Sequence, residues 1–160
     1  MKKNLTKRNY FVVIDNSQEM WKAVHFCMIR AKAIKAKITT ISFAESISDQ
    51  IMLVNSAENI IHEEQIKIEK LNHNKVHSYL KEKSKINADS KVFMSDDLDG
   101  FIKYLNDYSS NSTIVLASST EIGKPGPLID KLVYEKSNLL KCPLVIISGN
   151  LSNKELESIV

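Results

Sequence analysis

Short continuous apolar runs alternate along the chain with longer stretches in which apolar residues recur at helical spacing. The first run, Tyr10-Phe11-Val12-Val13-Ile14, has the β-branched, uninterrupted character of a strand buried on both faces, and it ends at Asp15. Asn16 then stands as an N-cap with Glu19 three residues on, and Met20, Val24, Cys27, Ala31 and Ile34 share one helical face. A second strand is predicted over 37–44, with Phe43 near its end. Residues 45–55 carry the apolar cluster Ile47, Ile51, Met52, Leu53 and Val54, which reads as a lid or a partner surface at the strand ends. From 56 to about 84 the composition is strongly helix-forming, and Ile61, Ile68 and Tyr79, with Leu71 close by, project to the side expected to be buried.

The segment 85–94 begins polar and ends in Val92-Phe93-Met94, as an edge strand does, and Ser95-Asp96-Asp97 supplies a cap for a helix. Leu98, Phe101, Ile102, Leu105 and Tyr108 give that third helix despite the cost of Gly100. Residues 113–117 form a fourth, buried strand, and after a loop over 118–126 Pro127 opens a helix expected to reach Leu140. Pro143 leads the last strand, 143–147. Ser152 and Glu155 stand at capping-box spacing for a short C-terminal helix.

Five strands alternating with four helices imply right-handed crossovers and an α/β three-layer sandwich with a parallel sheet covered on both faces. The most apolar strands, the first and fourth, belong at the centre and the polar third at an edge, which the order 3-2-1-4-5 satisfies. The expected organisation is a basic extension over 1–8, one α/β domain over 9–149 and a tail over 150–160.

Composition narrows the function. Hydrophobic residues make up 43% and charged residues 26%, as in an ordinary packed domain. The net charge of +3 is spread along the chain rather than gathered, which argues against nucleic acid. The basic start, Lys2, Lys3, Lys7 and Arg8, has no apolar stretch behind it long enough for a signal peptide or a membrane span. Cys27 and Cys142 are distant, form no CxxC pair and lie in segments that read as core, so a reduced, cytoplasmic setting is expected and neither is a nucleophile.

In an open doubly wound sheet, ligands bind outside the carboxyl ends of the strands where strand order reverses. The order 3-2-1-4-5 puts Asp15 beside the Ser118-Ser119-Thr120 turn at that point. A carboxylate there can accept hydrogen bonds from a ribose or an adenine amine, and a loop running into a helix offers free N–H groups to phosphate. The same residues also suit a plain turn and a plain βα loop, so both readings stand.

Val12-Val13-Ile14-Asp15-Asn16-Ser17, the strand ending near Phe43, and Ile114-Val115-Leu116-Ala117-Ser118 leading to Cys142-Pro143-Leu144-Val145-Ile146-Ile147 resemble the universal stress protein family, over about residues 10–148. The resemblance implies the 3-2-1-4-5 sheet, a homodimer built around the last strand and, in one branch of the family, ATP in the crevice. Asp15 matches that branch's adenosine-contacting acid, and Phe43 takes the position whose backbone meets adenine. The branch's glycine pattern is degenerate here: counted without gaps, its three glycines fall on Ala117, Thr120 and Asp130 and its hydroxyl residue on Lys131. A second register, from Gly123 and Gly126 to Lys136-Ser137, recovers two glycines by lengthening the loop. The candidate crevice residues are thus Asp15, Phe43, Leu116, Ala117, Ser118, Ser119, Thr120 and Lys131.

Other signals are weaker. Glu69, His73 and His77 stand at metal-ligand spacing on the long helix, but they fall away from the face of Ile61, Ile68 and Tyr79 and are expected to be solvated. His25 and His62 show no partner, and no metal site is expected. A phosphoacceptor receiver needs an acidic pair on the first strand and a lysine closing the fifth, where this chain has Asp15 alone and Ser148-Gly149. P-loop, GxSxG and GxGxxG strings are absent. The expectation is a non-enzymatic, dimeric stress-response binding module with protein partners and without the usual ATP mode. Its alternative is an adenine-nucleotide switch, for ATP or AMP, with a remodelled loop after the fourth strand.

Overall fold

The structure is a computed structural model that describes residues 7–46, 55–108 and 111–159. Five parallel strands form one sheet: β1 (Asn9–Val13), β2 (Lys37–Ala44), β3 (Asp89–Met94), β4 (Ser112–Ser118) and β5 (Leu144–Ser148), in the order β3-β2-β1-β4-β5. The central position of β1 follows from its side chains, for all five of its residues are buried. Burying a large aliphatic or aromatic side chain is worth roughly 1.5–3 kcal/mol, so a run of such residues is most stable flanked on both sides and covered on both faces. β3 exposes Asp89, Ser90 and Lys91 at an edge.

Alternation along β1 sorts the two cores. Tyr10, Val12 and Ile14 pack with α1 (Met20–Ile34), α2 (Asn55–Ser84) and the C-terminal α5 (Asn153–Ile159) through Val24, Cys27, Val76, Leu80 and Leu156. Phe11 and Val13 face the opposite layer, where α3 (Leu98–Asp107) supplies Phe101 and Leu105 and the segment after β4 supplies Ile129 and Leu132. Cys27 and Cys142 are free and buried, and desolvation pushes both thiols up, away from the reactive thiolate. Among the described residues no helix is long and apolar enough to cross a membrane. Residues 47–54, which hold the predicted apolar cluster, and 1–6 of the basic extension lie outside the described residues.

Five local expectations are corrected. The first helix is not capped by Asn16, which takes a left-handed φ of 62°. Instead Asp15 Oδ1 accepts from the Ser17 N–H (3.0 Å) and the Ser17 hydroxyl (2.6 Å), and Ser17 Oγ accepts from the Met20 N–H (3.1 Å). The helix expected over 127–140 is broken. It comprises one α turn, α4 (Pro127–Asp130), a π turn (Lys131–Glu135) and a 3-10 turn (Ser137–Leu139). Ile129 and Leu132 are its buried anchors, and past them Asn106 of α3 takes over, donating to Leu139 O and accepting from the Lys141 N–H, both at 2.9 Å.

The buried face of α2 is also not the predicted one. Ile68 and Leu71 are 54% and 60% exposed, whereas Asn72, His73, Val76 and Leu80 are buried. The cause lies in β2, whose side toward α2 carries Thr40 and Ser42, so the helix answers with imidazoles. His73 Nδ1 lies 2.5 Å from Thr40 Oγ1 and its Nε2 2.9 Å from Ser42 Oγ, and His77 Nε2 lies 2.8 Å from Thr40 Oγ1. His73 and His77 are therefore packing residues of a polar interface, not members of a solvated face. His25 likewise has a partner, with Nδ1 3.2 Å from the Tyr79 hydroxyl.

Candidate functional site

β1 and β4 are neighbours with Val12 opposite Val115, and their carboxyl ends diverge into α1 and into the loop over 119–126. Parallel strands whose crossovers leave to opposite faces open a crevice there. The crevice has a volume of about 710 Å³. Asp15, Phe43, Leu116, Ala117, Ser119 and Lys131 line it, together with Glu19, Glu45, Gln65, Glu69 and Ser95. Asp15 is exposed at the mouth while its Oδ1 organises the turn into α1, so the ligand-facing and turn-forming readings of this residue are compatible.

Two candidates do not line the crevice. Ser118 closes the β4 ladder, its carbonyl accepting from the Gly149 N–H at 3.1 Å. Thr120 turns toward α1, where Glu19 Oε1 accepts from its N–H (3.4 Å) and its hydroxyl (3.2 Å). Gly149 makes room for this reach: a Cβ there would stand 2.5 Å from both Glu19 Cγ and the Ser118 carbonyl. Asp130 does not line the crevice either, whereas Gly126 and Lys131 do.

The loop directs its donors to the protein itself. The Ser119 N–H donates to Pro125 O (3.0 Å), that of Thr120 to Glu19, that of Glu121 to Ser119 Oγ (3.0 Å) and that of Lys124 to Glu121 O (3.2 Å). The Glu19 backbone N–H and that of Thr120 hold the Glu19 carboxyl below the usual carboxylate range, so at neutral pH it is an anion seated against the loop amide. Among the described residues four carboxylates line the crevice, from Asp15, Glu19, Glu45 and Glu69, against the single ammonium of Lys131. The described lining includes no histidine or cysteine.

Glu45 and Gln65 escape a reading of motifs, which assigns Glu19, Ile68 and Glu69 to other roles. Glu19 has capping-box spacing and instead bridges 101 positions to Thr120. Ile68 looks like a core residue by periodicity and is the exposed wall of the crevice.

Neither a family model nor a curated protein sequence matches the chain. Solved structures do. Universal stress protein UspA from Lactobacillus plantarum superposes with a TM-score of 0.72 at 14% identity, over 90% of this chain and 99% of that one. A protein of the universal stress protein family from Burkholderia pseudomallei gives 0.56 at 11% identity, over 88% and 95%. A universal stress protein in complex with cAMP gives 0.50 at 13% identity, over 89% and 98%. The sheet order, the two helical layers and these superpositions together establish that the chain has the universal stress protein fold.

Proposed function

We propose that the chain is a non-catalytic regulatory binding module whose crevice accepts the nucleoside part of an adenine ligand with at most one phosphate charge, and rejects an extended triphosphate. The observation that carries this reading is Glu19 seated on the Thr120 N–H: the amide at the pattern's second glycine position already serves a carboxylate. Electrostatics point the same way. A like charge at about 6 Å costs roughly 1–3 kcal/mol at effective dielectric constants between those of water and a protein surface. Three added phosphate charges among Asp15, Glu19, Glu45 and Glu69 are therefore unfavourable, and Lys131 offsets one of them. A neutral nucleoside escapes that cost, and a cyclic monophosphate, the ligand named for one structural neighbour, meets little of it. Apolar lining from Leu98, Leu116 and Leu128 with Phe43 gives a flat base a surface to rest on.

The module works as a homodimer through β5 in this reading. β5 is a sheet edge with Ile146 42% exposed, and Tyr134 and Leu139 lie exposed on the segment leading to it. Protein partners rather than chemistry carry the stress-response signal in this reading, for the Ser17 hydroxyl that meets Asp15 in the crevice is engaged in the turn into α1.

Calorimetry on nucleotide-stripped protein with adenosine, cAMP, AMP and ATP tests the assignment. Adenosine and cAMP are expected to bind, AMP more weakly and ATP weakest, with Asp15→Asn weakening adenosine about tenfold through the lost charge-assisted hydrogen bond. ATP binding tightest of the four contradicts the proposal.

A further inference from the structure

The chain has only two arginines among its 22 basic residues, Arg8 and Arg30. Both line the same cavity, of about 550 Å³, which opens at the amino ends of β1, β4 and β5, the end of the sheet opposite the crevice. Arg8 enters from the residue before β1 and Arg30 from the last turns of α1. Phe26, one helical turn before Arg30, and Tyr10, Val145 and Thr113 form the wall between them.

Three features distinguish this cavity from a solvated basic patch. Among the described residues no acidic side chain lines it, and neither arginine takes part in an ion pair. Arg30 is half-buried on the wall that carries Phe26, and Arg8 is exposed at the cavity's edge. Two lysines stand near the arginines in the chain, Lys35 ending α1 and Lys37 opening β2 with its N–H donating to Arg8 O at 2.8 Å, while the Glu157 carboxylate of α5 is taken up by His25. Where lysine is the rule elsewhere in the chain, two guanidiniums at one cavity point to planar, fork-like recognition of an oxyanion rather than to general charge. The aromatic and aliphatic walls add a surface for an apolar body.

From this geometry we infer a second ligand site, formed by Arg8, Arg30 and Thr113, for a small organic oxyanion, a phosphate or carboxylate carried on an apolar group that rests against Phe26, Tyr10 and Val145. It is separate from the crevice. β1 spans the distance between them, with Tyr10 lining one cavity and Val13 the other.

Phenyl phosphate, benzoate and inorganic phosphate are suitable probes, titrated into the full chain by calorimetry and by amide chemical-shift mapping. Phenyl phosphate is expected to bind about tenfold or more tighter than inorganic phosphate, because the ring adds burial to the charge. Shifts are expected at Phe26, Thr113 and Val145, and benzoate binding more tightly than phenyl phosphate identifies carboxylate as the preferred head. Arg30→Gln and Arg8→Gln should each weaken binding about tenfold, and Arg30→Lys should recover only part of the loss, since an ammonium lacks the fork. Glu19→Ala in the crevice should leave it unchanged. Shift mapping on the unaltered chain keeps the inference testable should a variant fold poorly. Shifts confined to the crevice, equal affinity for phenyl phosphate and inorganic phosphate, or no effect of either glutamine substitution overturns it.

Discussion

Thr40 and His73 are joined across the β2–α2 interface by a 2.5 Å contact between a hydroxyl and Nδ1, with both residues buried. Thr40 Oγ1 has one proton and three neighbours: His73 Nδ1, His77 Nε2 and the Asp89 carbonyl at 3.2 Å. The carbonyl can only accept, so the assignment that satisfies every contact has Thr40 donating to it and both rings donating to Thr40. Neutral His73 then accepts the Ser42 proton at Nε2. Burial foremost, with the neighbouring His77, lowers the His73 pKa from 6.5 to about 4, and burial lowers that of His77 as well.

That network makes stability depend on pH. The folded pKa lies below the unfolded one, so between about pH 6.5 and 4 the unfolded chain binds more protons and stability falls on acidification. The loss attributable to His73 is on the order of 2–3 kcal/mol. Urea midpoints at pH 7.5 and 4.5 check it. His73→Gln should roughly halve the slope, His77 supplying the rest, and a flat profile above pH 4.5 contradicts the assignment.

Thr40→Val keeps the shape of the side chain and deletes its hydroxyl. Two ring donors and the Asp89 carbonyl lose their common partner inside a buried interface, at a cost of about 2 kcal/mol. Chemical denaturation at pH 7.5 measures it, and a change under about 0.5 kcal/mol shows that the rings find other partners.

This interface also marks where the sequence stops being informative. The apolar runs around Val12 and Val115 announce central strands because nothing polar interrupts them, and the polar start of β3 announces an edge. Helical periodicity, by contrast, assumes an apolar partner. α2 lies against hydroxyls, so its buried stripe is marked by His73 and Asn72, and its aliphatics Ile68 and Leu71 are left outside. The crevice is legible to the same extent: Asp15 and Ser119 come from strand order, whereas Glu19 owes its role to a contact 101 positions away that no local spacing announces.

Glu19→Ala removes one of the four carboxylates and frees the Thr120 N–H. ATP affinity relative to adenosine should rise about threefold to tenfold, the equivalent of roughly 1 kcal/mol of relieved repulsion. Glu19→Gln, which removes the charge and keeps an acceptor for the amide, should give a smaller rise. Competition calorimetry reads both, and an unchanged ratio in Glu19→Ala shows that Glu19 does not guard the loop.

Gly100 offers a test in which two opposing effects are of similar size. It lies in the first turn of α3, where its N–H donates to the capping carboxylate of Asp97 at 3.0 Å. Replacing an interior helical glycine by alanine ordinarily stabilises by about 1 kcal/mol. Here a Cβ would collide with the Asp97 carboxylate, which must swing away and give up the cap, a loss of about 1 kcal/mol. Gly100→Ala alone should therefore change stability by less than about 0.5 kcal/mol, and Asp97→Ala alone should cost about 1 kcal/mol. With the cap already absent nothing obstructs the new methyl group, so adding Gly100→Ala to Asp97→Ala should restore about 1 kcal/mol. Urea unfolding of the four proteins closes the cycle, and additive effects, with Gly100→Ala stabilising equally in both backgrounds, contradict the collision.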